Sequence, residues 1–215
     1  MIDYFFSFLD MEKVPFEERL WDEDVWLEPL IILWENGKYY VSAEKELLPF
    51  LYDIGDFFNK ENLEKIYSIT AKHIETKGFT IDKHISIIRC FDLSGKGKET
   101  ESVRLKGTEE DALFSDLSYL TEKGPVFGII KNGKVVSLAG AVIKDGVANI
   151  HIETAPSERK KGYAKASLLA LCNYLNKENV KILYECRSEN TASVSTVTGA
   201  GGIEICRYTR FIGRK

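Results

Sequence analysis

The sequence contains few of the residues that build metal centres or disulfide frameworks. It has only four cysteines and three histidines among 215 residues. No two cysteines form a Cys-x-x-Cys pair, and no histidine lies near them at zinc-binding spacing. A metal site is therefore not expected. Small buried thiols in a reducing compartment are the better interpretation of Cys90, Cys172, Cys186 and Cys206.

Long apolar runs and a strong charge of one sign are also missing. No apolar stretch approaches the length of a membrane span, and the first residues lack the basic segment of a secretory signal. The 29 basic and 33 acidic residues leave a net charge of -4, which does not favour nucleic-acid binding. We therefore expect a cytoplasmic protein without a membrane or nucleic-acid partner, in which any anionic ligand binds at a local basic patch.

A polar stretch at residues 94–102, SGKGKETES, contains glycine and charge but no apolar side chain. It predicts a boundary between an N-terminal α+β segment, residues 1–98, and a second domain, residues 103–215. Sequence does not decide whether the first segment is a degenerate copy of the second or helps to bind a substrate. Its aromatic side chains are expected to be mostly core, although some could wall a substrate pocket: Phe5, Phe6, Phe8, Trp21, Trp26 and Trp34.

Local patterns predict the main elements of the first segment. The pair Asn36-Gly37 indicates a type I′ hairpin between two strands. A helix is predicted over Asn62–Lys77 and a strand over His84–Phe91. Residues 44–58 also favour a helix, which Pro49 or Gly55 would interrupt.

The second domain reads as a three-strand meander followed by a β-helix-β unit. Asn132-Gly133 and Asp145-Gly146 predict tight turns between antiparallel strands. The next helix carries its apolar stripe at i, i+3, i+4 and i+7, and the strand after it should return parallel to the strand before it. The predicted fold class is α/β (α+β), with a mixed, mostly antiparallel central sheet and flanking helices. The helical stripe consists of Leu168, Leu171, Cys172 and Leu175.

A basic, glycine-containing turn lies between the predicted strand at 147–154 and this helix. Backbone N–H groups at a helix start are free to bind anions, and the helix dipole favours negative charge there. The spacing Arg-x-x-Gly-x-Ala differs from the two common nucleotide loops. A basic, glycine-containing turn at a helix start is a phosphate-binding arrangement, so the turn predicts a phosphate site, and the alternative is a solvated loop that binds nothing. Its residues are Arg159, Lys160, Lys161, Gly162, Tyr163 and Ala164.

Polar side chains alternate along the predicted strand at 147–154. Asn149, His151 and Glu153 share one face of it. Such a face on a central strand is unexpected unless it lines a cleft, where His151 or Glu153 could accept a proton from a substrate ammonium. Hydrogen-bonded polar residues beneath a loop are the alternative, and sequence leaves both open.

The ordered combination of strand, Ala155-Pro156, basic turn, amphipathic helix, strand and Asn190-x-x-Ser193 resembles the GNAT superfamily of N-acetyltransferases. The resemblance implies acetyl-CoA as cofactor and direct transfer of its acetyl group to a primary amine of a small molecule or peptide. It also implies that the backbone of Ile152, Glu153 and Thr154 pairs with the pantetheine arm, and that Asn190 and Ser193 contact the cofactor.

The chain departs from the family pattern after Asn190, where Gly201-Gly202 replaces the usual Gly-Phe and a tyrosine is missing. The family often has a tyrosine seven residues after the asparagine, as a proton donor to the leaving thiolate, and this chain has Val197 there. Tyr208 or water would have to replace it. The departure favours one alternative, a non-catalytic CoA-binding regulatory module. A second alternative, independent of this position, is nucleotide binding by an unrelated α/β domain. Sequence does not identify the amine or the oligomeric state.

Overall fold

Three tight turns organise the strands of the computed structural model, which describes residues 11–12, 14–18, 26–81, 87–93, 101–108 and 117–215. Asn36, Asn132 and Asp145 have φ angles of 47°, 51° and 51°, and the glycine after each has a φ of 81°, 77° and 75°. A type I′ turn requires positive φ at both central residues. The Asn-Gly and Asp-Gly pairs therefore form the predicted hairpins.

The chain divides into two compact units. Unit 1 comprises residues 1–89, 187–189 and 205–215, and unit 2 comprises residues 90–186 and 190–204. Each unit contains a mixed, mostly antiparallel sheet with helices, which confirms the predicted fold class. Among the described residues, no helix is both long enough and apolar enough to cross a membrane.

Unit 1 contains one sheet with the strand order β1-β3-β2-β11, and β4 pairs with β11. Strand β2 is antiparallel to β3 and β11, and β1 is parallel to β3. The buried Glu28 carboxylate accepts a hydrogen bond from Arg210 Nε, which ties β2 to β11. The elements are β1 (Phe16–Glu18), β2 (Trp26–Glu35), β3 (Lys38–Ala43), helix α1 (Leu48–Leu51), helix α2 (Lys60–Glu75), β4 (Thr80–Ile81) and β11 (Ile203–Arg214).

The helices of unit 1 differ in how well the sequence predicts them. Helix α2 forms as predicted, and Asn59 caps it by accepting a hydrogen bond from Glu61 N at 2.9 Å. The helix predicted over residues 44–58 is observed only as the short helix α1, with Pro49 in its first turn. Proline is tolerated only at a helix start, so no helix extends upstream through it.

Unit 2 contains a sheet with the order β5-β10-β9-β8-β7-β6. The meander β7-β8-β9 is antiparallel, and β10 returns parallel to β9, both as predicted. Helix α4 packs against β7, β8 and β9. The elements are β5 (Ile88–Asp92), β6 (Val103–Arg104), helix α3 (Leu117–Lys123), β7 (Val126–Lys131), β8 (Lys134–Lys144), β9 (Val147–Thr154), helix α4 (Tyr163–Lys177), β10 (Lys181–Arg187) and helix α5 (Thr191–Gly199).

The core of unit 2 lies between α4 and the sheet. The predicted stripe of Leu168, Leu171, Cys172 and Leu175 is buried against residues of β9 and β10. Phe91 and Leu93 belong to the same cluster and are 0% and 2% exposed. Apolar burial on this scale is the main source of stability for such a unit.

The division of the chain into two units does not follow the predicted boundary between residues 98 and 103. Strand β5 contributes to the core of unit 2 although it precedes that boundary, and β11 pairs with β2 in unit 1 although it follows it. Most of the boundary, residues 94–100, lies outside the described residues, as do Phe5, Phe6, Phe8, Trp21 and residues 82–86 of the predicted strand His84–Phe91.

We expect Phe91→Ala to lower the free energy of unfolding by about 3–5 kcal/mol, because it opens a cavity in the core of unit 2. Phe50→Ala is the control, since Phe50 is 56% exposed, and its cost should stay within about 0.5 kcal/mol. Urea denaturation followed by circular dichroism measures both. Equal stability of the two variants would contradict the assignment of β5 to this core.

Candidate active site

Strands β9 and β10 pair over only part of their length. Their parallel ladder joins Val147–Asn149 to Lys181–Leu183, and the strands then continue to Thr154 and Arg187. On its other side β9 stays paired with β8 as far as Thr154. The second half of β9 therefore presents backbone donors and acceptors that the ladder with β10 does not use. An extended ligand can bind such an edge as an added strand.

The basic turn leads into the start of α4. Gly162 occupies the N-cap position with a φ of 83°, and no side chain caps the helix. The first N–H groups of α4 are therefore available to an anion. A Cβ at Gly162 would meet no atom within 4 Å, so glycine is needed there for its backbone conformation, and the space beside it is open. Lys160 also has a positive φ, of 62°.

A cleft of about 1040 Å³ in unit 2 joins the turn to the open edge of β9. It brings together every predicted cofactor residue except Lys161, whose Nζ lies 3.0 Å from Glu158 Oε2. The predicted residues that line it are Ile152, Glu153, Thr154, Arg159, Lys160, Gly162, Tyr163, Ala164, Asn190 and Ser193. Residues that sequence analysis did not single out also line it: Glu158, Lys165, Tyr184, Thr191, Ala192, Ser195 and Thr196.

Basic groups outnumber acidic ones at the helix end of the cleft. Arg159, Lys160 and Lys165 line this end together with Glu158, whereas Glu153, the other acidic residue of the lining, belongs to β9. Arg159 Nε donates to the Thr154 carbonyl at 3.3 Å, which ties the turn to the end of β9. At the rim, Lys131 donates to the Tyr163 hydroxyl, and this hydrogen bond raises the pKa of Lys131. The combination of cations and free N–H groups suits a phosphate ligand.

Asn190 and Ser193 lie at the start of α5. The Asn190 side chain accepts a hydrogen bond from Ser193 N at 3.1 Å, so it caps this helix. Both residues also line the cleft. The two readings of Asn190, as a helix cap and as a cleft residue, therefore hold together.

The predicted polar face of β9 is present, and it lies on the side of the sheet away from α4. Asn149 and His151 are exposed, and His151 Nε2 lies 3.8 Å from Glu153 Oε2. His151 is not among the residues that line the cleft. Both side chains are nearly half exposed, at 46% and 43%, so they can meet a ligand from solvent.

Neither tyrosine position considered from the sequence lines the cleft. Val197 is fully buried in the core of unit 2. Tyr208 is 6% exposed in β11 and pairs with Leu33 in unit 1. Tyr184, on β10, lines the cleft instead and is hydrogen-bonded to the Ser193 side chain. Burial raises the pKa of Tyr184, so it keeps its proton at neutral pH.

One group of side chains among the described residues has the spacing of metal ligands. The ligand atoms of Glu44, Glu46 and His73 all lie within 4.8 Å of one another in unit 1. The buried Glu44 carboxylate already contacts His73 Nε2, and its Oε2 atom lies 2.8 Å from Lys77 Nζ. Because a lysine ammonium and a metal ion would compete for the same oxygen, we interpret the group as a network that compensates a buried charge.

A family profile described as GNAT acetyltransferase matches residues 52–210. The chain belongs to the GNAT acetyltransferase family. The match covers the basic turn, the cleft and both strands that border it. Acetyl-CoA-dependent N-acetylation is the general reaction of the family.

Solved GNAT structures show the same fold at low sequence identity. A protein described as a GNAT acetyltransferase from Novosphingobium aromaticivorans is 13% identical with a TM-score of 0.52, over 64% of this chain and 68% of that chain. One from Colwellia psychrerythraea is 19% identical with a TM-score of 0.50, over 61% of this chain and 57% of that chain. This chain thus matches little more than half of the second protein. No curated protein sequence matches it.

We expect Gly162→Glu to weaken CoA binding at least about 100-fold, or about 2.8 kcal/mol. The substitution places a carboxylate beside the phosphates and forces an unfavourable φ on a residue with a side chain. Gly146→Glu is a matched control, because Gly146 has a φ of 75°, equally open surroundings and a position outside the cleft.

Isothermal titration with CoA measures both variants, and circular dichroism verifies that they are folded. Equal CoA affinity in folded Gly162→Glu and Gly146→Glu proteins would show that the start of α4 does not hold the phosphates.

Proposed function

We propose that this protein transfers an acetyl group from acetyl-CoA to a primary amine of a small molecule or peptide. The observation that carries the proposal is the continuity of the cleft, which runs from the uncapped start of α4 to the unpaired edge of β9. CoA has a matching order of parts, with a pyrophosphate followed by an amide-containing pantetheine arm. The ligand chemistry and the lining of the cleft therefore agree along its whole length.

In this proposal the turn and the start of α4 hold the pyrophosphate. Arg159, Lys160 and Lys165 line this end of the cleft and supply charge, while N–H groups from Gly162 to Ala164 supply hydrogen bonds. The backbone of Ile152, Glu153 and Thr154 pairs with the pantetheine amides. Asn190 and Ser193 border the other wall of the cleft.

The chemistry is direct attack of the amine on the thioester. Alignment of the two reactants supplies much of the rate, and free N–H groups of β9 stabilise the developing oxyanion. A covalent cysteine intermediate is disfavoured, because burial raises the pKa of Cys172 to about 12 and Cys186 is also buried. All four cysteines are buried and form no disulfide.

We assign His151 and Glu153 to the acceptor side. They lie close together on the exposed face of β9, and the Glu153 carboxylate can attract an ammonium group. This extends the sequence-based hypothesis that the pair acts on the amine. Tyr208, the other residue considered from the sequence, is buried in unit 1 and is not needed as a proton donor when Tyr184 lines the cleft.

The absence of the usual family tyrosine, with Val197 buried in its place, favours a second candidate, a CoA-binding regulatory module without turnover. A panel of primary amines separates the two functions: a peptide with a free N-terminus, a lysine peptide, a polyamine and an amino sugar. Release of CoA thiol and mass of the acetylated product are measured, with Gly162→Glu as the inactive control. CoA binding without product from any amine would favour the regulatory module.

We expect His151→Gln and Glu153→Gln to raise the KM for the amine roughly tenfold, which is the effect of losing one hydrogen bond to a charged group. The dissociation constant for CoA should change less than about twofold, since neither side chain is assigned to the cofactor. Initial rates and CoA titration give the two quantities. An unchanged KM in both variants would remove the pair from the acceptor site.

A further inference from the structure

Two neighbouring residues of β10 lie just beyond the point where its ladder with β9 stops. Leu183 is the last residue of β10 in the ladder, and Tyr184 and Glu185 follow it. Successive side chains of a strand point to opposite faces of the sheet. Tyr184 and Glu185 therefore flank the opening between β9 and β10 from its two sides.

Tyr184 is on the cofactor side of the sheet. It belongs to the core cluster with Leu168 and Cys172 of α4, and it lines the cleft. Only 6% of its surface is exposed, and its hydroxyl is hydrogen-bonded to the Ser193 side chain. Its ring is therefore held by packing and its hydroxyl by the first turn of α5.

Glu185 is on the opposite side. In the parallel ladder Leu183 is paired with Asn149, so Glu185 shares the face of His151 and Glu153. The carboxylate is partly buried, and no hydrogen bond or ion pair joins it to the residues that the structure describes. Burial raises the pKa of this carboxyl group. An unpaired, partly desolvated carboxylate is a stronger base than an exposed one.

We propose that Tyr184 and Glu185 are the proton donor and the proton acceptor of the transfer, acting from opposite faces of the sheet at the opening between β9 and β10. This proposal rests on the proposed acetyltransferase function and names the groups that move its protons. The amine approaches from the face of Glu185, and the thioester sulfur lies on the face of Tyr184.

The proton balance is complete with these two groups and water. Glu185 takes one proton from the ammonium and passes it to water. The neutral nitrogen then attacks the thioester carbonyl carbon, the new C–N bond forms, and the C–S bond breaks. Tyr184 donates its proton to the leaving sulfur, and the second proton lost by the nitrogen returns to the phenolate through water. One ammonium and one thioester thus yield an amide, a CoA thiol and one free proton.

The other candidates on each face fit these roles less well. His151 and Glu153 lie beside each other and are nearly half exposed, so solvent screens them. Val197 has no acidic proton to donate, and Tyr208 does not line the cleft. Tyr184 and Glu185 combine desolvation with a position at the opening.

Tyr184→Phe and Glu185→Gln test the two roles with nearly isosteric changes. We expect each to lower kcat about 100-fold, which is the usual contribution of a positioned acid or base. The KM for acetyl-CoA and the dissociation constant of CoA should change less than about twofold, because a group that acts on protons alone does not contribute to ground-state binding. Tyr119→Phe and Glu178→Gln are controls on the exposed surface of unit 2.

The basicity of the amine supplies a readout that a structural role would not move. Among the amines that the wild-type protein acetylates, the loss caused by Glu185→Gln should shrink as the amine becomes less basic, since a neutral amine needs no deprotonation before attack. The loss caused by Tyr184→Phe should not depend on the amine. Tyr184→Phe keeps the buried ring, and circular dichroism and CoA titration verify that the variant is folded.

The possible results distinguish a failure of the roles of Tyr184 and Glu185 from a failure of the acetyltransferase function. A variant that binds CoA normally and keeps kcat within about threefold of wild type overturns the role of that residue, while the acetyltransferase function stands. A loss in Glu185→Gln that is the same for all amines overturns its role as the base. CoA binding by the wild-type protein without turnover of any amine overturns the acetyltransferase function and the pair together.

Discussion

The short ladder between β9 and β10 is the constraint on which the cleft depends. Three residue pairs are enough to align the strands, because β9 is held on its other side by β8 along its whole length. The second half of β9 can therefore leave its hydrogen-bonding groups open without fraying. Pairing along the full length would close both the binding edge and the opening through the sheet.

The starts of α4 and α5 border the same cleft but offer it different chemistry. At α5 the Asn190 side chain occupies a backbone N–H, so this helix start is already partly satisfied. At α4 the N-cap is a glycine without a side chain to cap the helix. The helix dipoles favour anions at both starts. In the proposed function, the difference in capping and the cations of the turn explain why the phosphates bind at α4, while α5 holds the Tyr184 hydroxyl through Ser193.

The tight turns could be predicted from local residue types, whereas the packing of the core could not. Asn132-Gly133 and Asp145-Gly146 could be placed because a type I′ turn favours those residues. The turn at Gly162 could be placed because a basic, glycine-containing stretch lies between a strand pattern and a helix pattern. Which side chains are buried together was harder to predict from the sequence. Strand β5 lies in the first segment by sequence, and its position beside β10 and the burial of Phe91 in the core cluster assign it to unit 2. Tyr184 alternates with Ile182 and Cys186, so its pattern is that of an ordinary core strand.

The burial of the four cysteines has a consequence for how the chain can be observed. Cys90, Cys172, Cys186 and Cys206 are all buried and form no disulfide, and the most accessible of them is 8% exposed. A thiol-specific dye added to the native protein therefore finds no accessible cysteine thiol in the protein. In an assay of the proposed acetyl transfer, the colour of such a dye therefore reports released CoA thiol, and a cysteine introduced at the surface becomes a unique point for attaching a fluorophore.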